Sequence, residues 1–395
     1  MLLSLALIFL CGMFLGSIFK KIKIPSLLGM LITGIILGPY ALNLLDESIM
    51  VLSPDIRQVA LIIILTRAGL ALDIDDLKKV GRPALLMCFV PACFEILGMV
   101  IFAPKLLGIS ILDALVMGAV IGAVSPAVIV PKMLHLMETQ YGTNKSIPQL
   151  IMAGASVDDI FVIVLFTAFT GLAQGNSISP ISFVQIPISI ITGAAAGIVV
   201  GMIVSIIFKT NHLRDSVKVI LILSISFLLV TLEKELKGYF PFSGLLAIMS
   251  MGATLQKKYI QVAKRLSVKF SKLWVAAEVI LFVLVGATVD LKYAYAAGFS
   301  AIIVIFLVLI FRMVGVFLCL IKTNLTVRER LFCMIAYMPK ATVQAAIGAI
   351  PLSMGLSCGK IVLTVAVLAI IITAPLGAFG IDITYKKFLS NERSN

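Results

Sequence analysis

Two adjacent carboxylates, Asp158 and Asp159, stand inside the apolar run IPQLIMAGASVDDIFVIVLFTAFTGLA. Asp158 follows the first residue of that run by eleven positions, roughly 16 Å along a helix rising 1.5 Å per residue, which is near the centre of a bilayer. Two acids at that depth cost roughly 5 to 7 kcal/mol on an insertion scale, more than a purely structural role would require. Successive helical residues point about 100° apart, so one acid can meet a partner on a neighbouring helix while the other faces a cavity. A carboxylate that holds either a proton or a metal cation is the minimum machinery for exchanging one for the other. The two ligands compete for the same oxygens, and alternating access converts that competition into counter-transport.

A hard cation also needs oxygen ligands. Besides Asp158 and Asp159, the available ones are Ser125, Ser156, Thr342, Gln344 and the carbonyls freed at Pro126 and Pro339. Lys340, directly after Pro339, offers a countercharge to the acid pair and to a half-helix C-terminus. Glu95 in VPACFEILGMV and Arg312 in LVLIFRMVGVF have opposite sign and are expected to form an interhelical ion pair. Arg67 could snorkel or pair with Asp73, and Glu278 is equally open. No cofactor is expected, because the six cysteines and the two histidines, read as loop residues, show no metal-ligand spacing.

The elements that must position these groups are membrane helices. The chain is 61% hydrophobic and 13% charged, against roughly 25% charged in soluble domains. Apolar runs long enough to cross roughly 30 Å of hydrocarbon recur to about residue 380, leaving no room for a soluble domain. The expected fold is an all-α polytopic membrane protein of about thirteen transmembrane helices. Connections after the odd-numbered helices hold most of the 32 Lys and Arg residues, which places the N-terminus outside and the C-terminus in the cytoplasm of a multi-pass plasma-membrane protein. The basic residues thus follow topology and argue for lipid as a partner, not nucleic acid. The longest connection, Gln256 to Lys272, reads as a solvated cytoplasmic linker that can touch anionic lipid.

Two helices should be broken. One, over about 112–131, carries Ser125, Pro126 and Pro131; the other, over about 328–353, carries Pro339, Lys340 and Pro351. Proline removes a donor and frees a carbonyl, so both should unwind at mid-membrane. The helix before each break carries one buried charge, Glu95 or Arg312. The two triplets lie seven helices apart, an odd offset that inverts one against the other, as in transporters whose discontinuous helices meet at a central site.

The motifs RAGLALD, AVSPAVIVPKML, ASVDDI, LFVLVGATVD and MPKATVQAAIG, in that order, resemble the monovalent cation:proton antiporter superfamily, and within it the sodium/hydrogen exchanger branch with an aspartate pair. The resemblance implies an inverted-repeat fold with two crossing discontinuous helices. It implies a core of helices over about 83–172 and 297–379 moving against dimerisation helices over about 1–39 and 183–255, in a homodimer. It implies that Asp159 is the main carrier of Na+ (or Li+ or K+) and H+, with Asp158 assisting, and that Glu95 pairs with Arg312. Ser125 and Pro126 match the first unwound segment, and Pro339, Lys340 and Thr342 the second. Relatives with an aspartate pair are often electrogenic and carry lysine at the Arg312 position, whereas an arginine paired with a glutamate is typical of electroneutral ones; this sequence combines both patterns.

Other readings remain at this stage. Symport of an organic anion could use the half-helix N-termini and Lys340, although the acid pair opposes it. A channel would pass cations without moving protons. An aspartyl protease, the enzyme alternative, needs acids facing each other across a bond, and consecutive residues on one helix do not.

Overall fold

Helix boundaries follow from residues that satisfy the free backbone groups at helix ends. Ser110 accepts from the Asp113 amide while the Asp113 side chain accepts from the Ser110 amide, closing a capping box. Thr326 and Glu329 do the same at the start of the helix Val327–Ala336. Asp290 caps by accepting from the amides of Lys292 and Tyr293.

In the computed structural model, residues 1–72, 81–174, 180–236 and 239–391 are described; Asp73 and the side chain of Ser156 fall outside the described set. The helices in chain order are α1 (Leu2–Lys21), α2 (Ser26–Leu37), α3 (Glu47–Ala71), α4 (Arg82–Met87), α5 (Val90–Leu107), α6 (Ile111–Ile121), α7 (Pro126–Glu138), α8 (Ile147–Gln174) and α9 (Pro180–Thr210). They continue with α10 (Asp215–Leu236), α11 (Gly244–Lys258), α12 (Ile260–Ala287), α13 (Leu291–Cys319), α14 (Val327–Ala336), α15 (Thr342–Ile347), α16 (Ile350–Ser353) and α17 (Gly359–Phe388). Among the described residues the only β pairing is a single bridge between Tyr141 and Asn391. The chain is an all-helical, multi-pass membrane protein. Among the described residues, ten helical stretches are long and apolar enough to cross a bilayer, and Ser26–Leu37 and Thr342–Ser353 are shorter apolar ones.

Two compact units divide these helices. Unit 1 comprises Met1–Pro54, Asp75–Phe169 and Leu281–Asn395; unit 2 comprises Asp55–Ile74 and Thr170–Ile280. Within unit 1, α2 and the end of α12 approach backbone to backbone: a Cβ on Gly34 would sit 1.9 Å from the Val283 carbonyl oxygen and one on Gly286 2.1 Å from that of Leu31. Only glycine permits this, and without a hydrophobic driving force in lipid such close packing is what holds helices together. The α5 and α13 pair is sealed by Phe102 and Phe311 edge to face, with centroids 5.7 Å apart.

Three local features differ from the sequence reading. Residues 260–272 are the first turns of α12 instead of a solvated linker, because Val262, Ala263, Leu266 and Phe270 form a helically spaced buried stripe beneath the basic residues. Pro131 lies within α7 and does not end it; one missing donor is tolerated inside a membrane helix whose neighbours can compensate. His135 falls in the last turn of that helix, not in a loop.

Candidate functional site

All groups of the site lie in unit 1, where two interruptions meet. α6 stops at Ile121 and α7 starts at Pro126, leaving Gly122, Ala123, Val124 and Ser125 outside either helix. Proline at the first helical position has no donor to lose and is preset for the helix, which explains why α7 restarts there. α14 stops at Ala336 and α15 starts at Thr342, so Tyr337, Met338, Pro339, Lys340 and Ala341 form the second interruption. The two are bonded directly: the Ser125 amide donates to the Pro339 carbonyl at 2.8 Å. Against the second break lies Gly377 of α17, where a Cβ would come 2.3 Å from Pro339 Cγ.

An α6 helix that stops early exposes the carbonyls of its last turn, and in hydrocarbon each needs a donor. Gln344 Nε2 donates to Ile121 and Ala123 at 3.1 and 2.9 Å, and Arg312 Nη1 donates to Gly122. Arg312 thereby brings a cation to the negative end of α6; its Nε also donates to the Tyr337 carbonyl, at the end of α14, at 2.8 Å. The guanidinium lies 5.2 Å from the Tyr337 ring centroid, and the Tyr337 hydroxyl donates to the Met87 carbonyl at 3.3 Å.

The same guanidinium fork joins two acids. Nη1 donates to Glu95 Oε2 at 2.8 Å and Nη2 to Asp158 Oδ2 at 2.7 Å. Asp158 Oδ2 also accepts from the Val124 amide at 2.9 Å. Lys340 Nζ donates to Glu95 Oε2 at 2.6 Å, and the Lys340 amide donates to Thr373 Oγ1 at 2.9 Å. Glu95, Asp158, Arg312 and Lys340 are each at most 1% exposed. Buried ions survive only when paired and hydrogen-bonded, and this chain of contacts meets that condition.

Asp159 is the exception. It makes no hydrogen bond or ion pair with any described residue, and its Oδ1 is buried without a partner. Ser125 Oγ, Asp158 Oδ1, Thr342 Oγ1 and Gln344 Oε1 are buried and unpartnered in the same sense. Buried polar atoms are normally satisfied, so orphaned oxygens at two helix breaks mark a place where a ligand supplies the missing contact. The charge balance has the same sign: carboxylates Glu95, Asp158 and Asp159 outnumber Arg312 and Lys340 by one.

The structure therefore brings together Asp158, Arg312, Glu95 and Lys340 by direct bonds, and Ser125, Pro339 and Gln344 by bonds across the two breaks. Lys340 bonds to Glu95 and not to the acid pair. Tyr337, Val124, Gly122 and Thr373 were not singled out from sequence. Tyr337 precedes Pro339 by two residues, where an interrupted helix exposes carbonyls, and that was its one available signal. In unit 2, Glu278 lies within electrostatic reach of Arg67.

A family profile described as the transmembrane sodium/hydrogen exchanger matches residues 5–387. Among curated proteins, sodium/hydrogen exchanger 9B2 of Mus musculus is 31% identical over 95% of this chain and 72% of its own length. The 9B2 protein of Homo sapiens is 32% identical over 98% of this chain and 75% of its own. Among solved structures, the sodium proton antiporter MjNhaP1 from Methanocaldococcus jannaschii superposes with a TM-score of 0.85 over 97% of each chain at 22% identity, which shows a common fold.

Proposed function

Because the chain belongs to the sodium/hydrogen exchanger family, we propose that it is a secondary antiporter exchanging Na+ for H+ at Asp159. The observation that carries this reading is the contrast within the acid pair: Asp158 is held by Arg312 and the Val124 amide, while Asp159 is unpaired. A pinned carboxylate cannot give up its partners for a cation at each turnover, and an unpaired one can accept a cation or a proton alternately. Asp158 Oδ1, Ser125 Oγ, Thr342 Oγ1 and Gln344 Oε1 are the oxygens free to complete a cation's shell.

One unmatched negative charge accepts one Na+ or one H+, so each turnover moves one positive charge in each direction and the cycle is electroneutral. Arg312 and Lys340 act as fixed countercharges, making Glu95 a structural partner and not a carrier. The excess of negative charge opposes an organic anion, and the chemistry is transport, not enzymatic turnover. The helices over 83–172 and 297–379 form the moving core, and those over 1–39 and 183–255 the dimerisation scaffold of a homodimer in the plasma membrane. The bias of Lys and Arg supports an outside N-terminus and a cytoplasmic C-terminus across about thirteen helices. Li+ or K+ can compete for the same oxygens.

In proteoliposomes, the native chain should dissipate a pH gradient on addition of Na+ without building a membrane potential, and Asp159→Asn should abolish this while leaving the chain folded. Full Na+-dependent proton flux in Asp159→Asn refutes the assignment of the carrier. A potential that follows each turnover refutes the neutral stoichiometry.

A further inference from the structure

Unit 2 contains a second cluster of charge that ion exchange does not use. Between the end of α9 at Thr210 and the start of α10 at Asp215 lies a cavity of about 390 Å³, lined by Lys209, His212, Arg214, Lys218, Tyr259 and Arg265 among others. Among the described residues, the one carboxylate bonded to any of these cations is Asp215, which accepts from Arg265 Nε at 3.0 Å and Nη2 at 3.5 Å. The cavity is therefore strongly cationic.

Lys218 is the decisive member. It is 5% exposed, lies in the first turn of α10, and forms no hydrogen bond or ion pair with any described residue. Its Nζ lies over the Phe208 ring, 5.3 Å from the centroid. A buried ammonium without an acceptor is costly, and the first turn of a helix adds a dipole that repels it. Both penalties reverse when an anion enters, because Lys218, the neighbouring cations and the α10 amides then share one acceptor. Lys209 is already positioned, with Nζ 5.7 Å from the Tyr259 ring centroid.

The surroundings indicate what carries the anion. Ile203, Ile206 and Ile207 of α9 and Val217 and Ile220 of α10 are exposed aliphatics on the two helices whose ends line the cavity, as suits acyl chains running along the helices from a headgroup held at their ends. The positive-inside bias assigns this connection to the cytoplasmic face, where anionic phospholipid is drawn to basic clusters. We propose that this cavity binds a phosphate group, carried by an anionic membrane phospholipid, with Lys218 as its innermost ligand.

The test uses the full chain in dodecyl maltoside, titrated with dioleoylphosphatidylglycerol, dioleoylphosphatidylcholine or sodium phosphate, reading melting temperature and, by native mass spectrometry, retained lipid. Phosphatidylglycerol should be retained and raise the melting temperature, and phosphatidylcholine should do neither. Lys218→Met, which keeps the apolar stem, should weaken phosphatidylglycerol binding about tenfold, as expected for losing one charge-assisted hydrogen bond. Should that variant not fold, Lys209→Gln with Arg214→Gln, both at exposed positions, should show a comparable loss. Sodium phosphate that protects the native chain but not the variants supports the same phosphate site with a soluble source. Equal phosphatidylglycerol retention by native and variant chains, or equal retention of both lipids, overturns the proposal.

Discussion

Replacing Arg312 with methionine removes the group on which the two helix breaks and two acids converge. Arg312 donates to Tyr337, Gly122, Glu95 and Asp158. After Arg312→Met, Glu95 keeps only Lys340, Asp158 keeps only the Val124 amide, and two carbonyls lose their donor. Breaking a buried pair from one side costs about 3 to 5 kcal/mol, and each stranded carbonyl adds about 1 to 3 kcal/mol unless water reaches it. The expected loss is at least about 5 kcal/mol when both carbonyls stay dry. Arg312→Lys preserves charge but replaces a planar fork with a single ammonium, so it should lose about half of that. Adding Glu95→Gln to Arg312→Met removes the acid that has lost its guanidinium but leaves Lys340 without a charged partner, and should restore only about 1 to 2 kcal/mol. The assay is unfolding in mixed dodecyl maltoside and SDS micelles followed by circular dichroism. A single variant that unfolds with the native chain, or a double variant that shows the plain sum of its parts, would refute the coupled network.

Other consequences are equally concrete. If Na+ and H+ compete for Asp159, the apparent KM for Na+ should rise about tenfold per unit of falling pH once the proton-bound form dominates; a KM independent of pH across pH 6 to 9 would contradict competition. Gly377→Ala drives a methyl group into Pro339, 2.3 Å from its Cγ, and should abolish exchange while membrane insertion, judged by expression and solubilisation, persists. Ser110→Ala opens the α6 capping box and should cost about 1 kcal/mol with little change in exchange rate, a contrast measurable on one proteoliposome preparation.

How much could be read from residues alone depended on whether lipid penalised them. The apolar runs, Asp158 and Asp159 at mid-helix, the intramembrane Glu95, Arg312 and Lys340, and the prolines at 126 and 339 all stand out in the sequence, because hydrocarbon makes every unmatched charge and backbone group expensive. The amphipathic start of α12 was misread because its four basic residues, Lys264, Arg265, Lys269 and Lys272, masked a buried stripe at Val262, Leu266 and Phe270. Similarly, Pro131 carries the same sequence signal as Pro126, yet only the latter sits where the helix restarts.

Beyond the pair of Glu95 and Arg312, partnership is what the sequence by itself left undecided. It determined that charges of both signs must meet inside the bilayer, since leaving several of them unpaired there is costly. Only the tertiary structure decided that Lys340 bonds to Glu95, that Arg312 spans Glu95 and Asp158, and that Asp159 is left over. The reason is geometric: a hydrogen bond needs its heavy atoms within about 3 Å and aligned, and that depends on how α5, α13 and the two broken helices pack. Lys340 and Glu95, 245 positions apart, and Arg312 and Asp158, 154 apart, carry no local mark of their meeting.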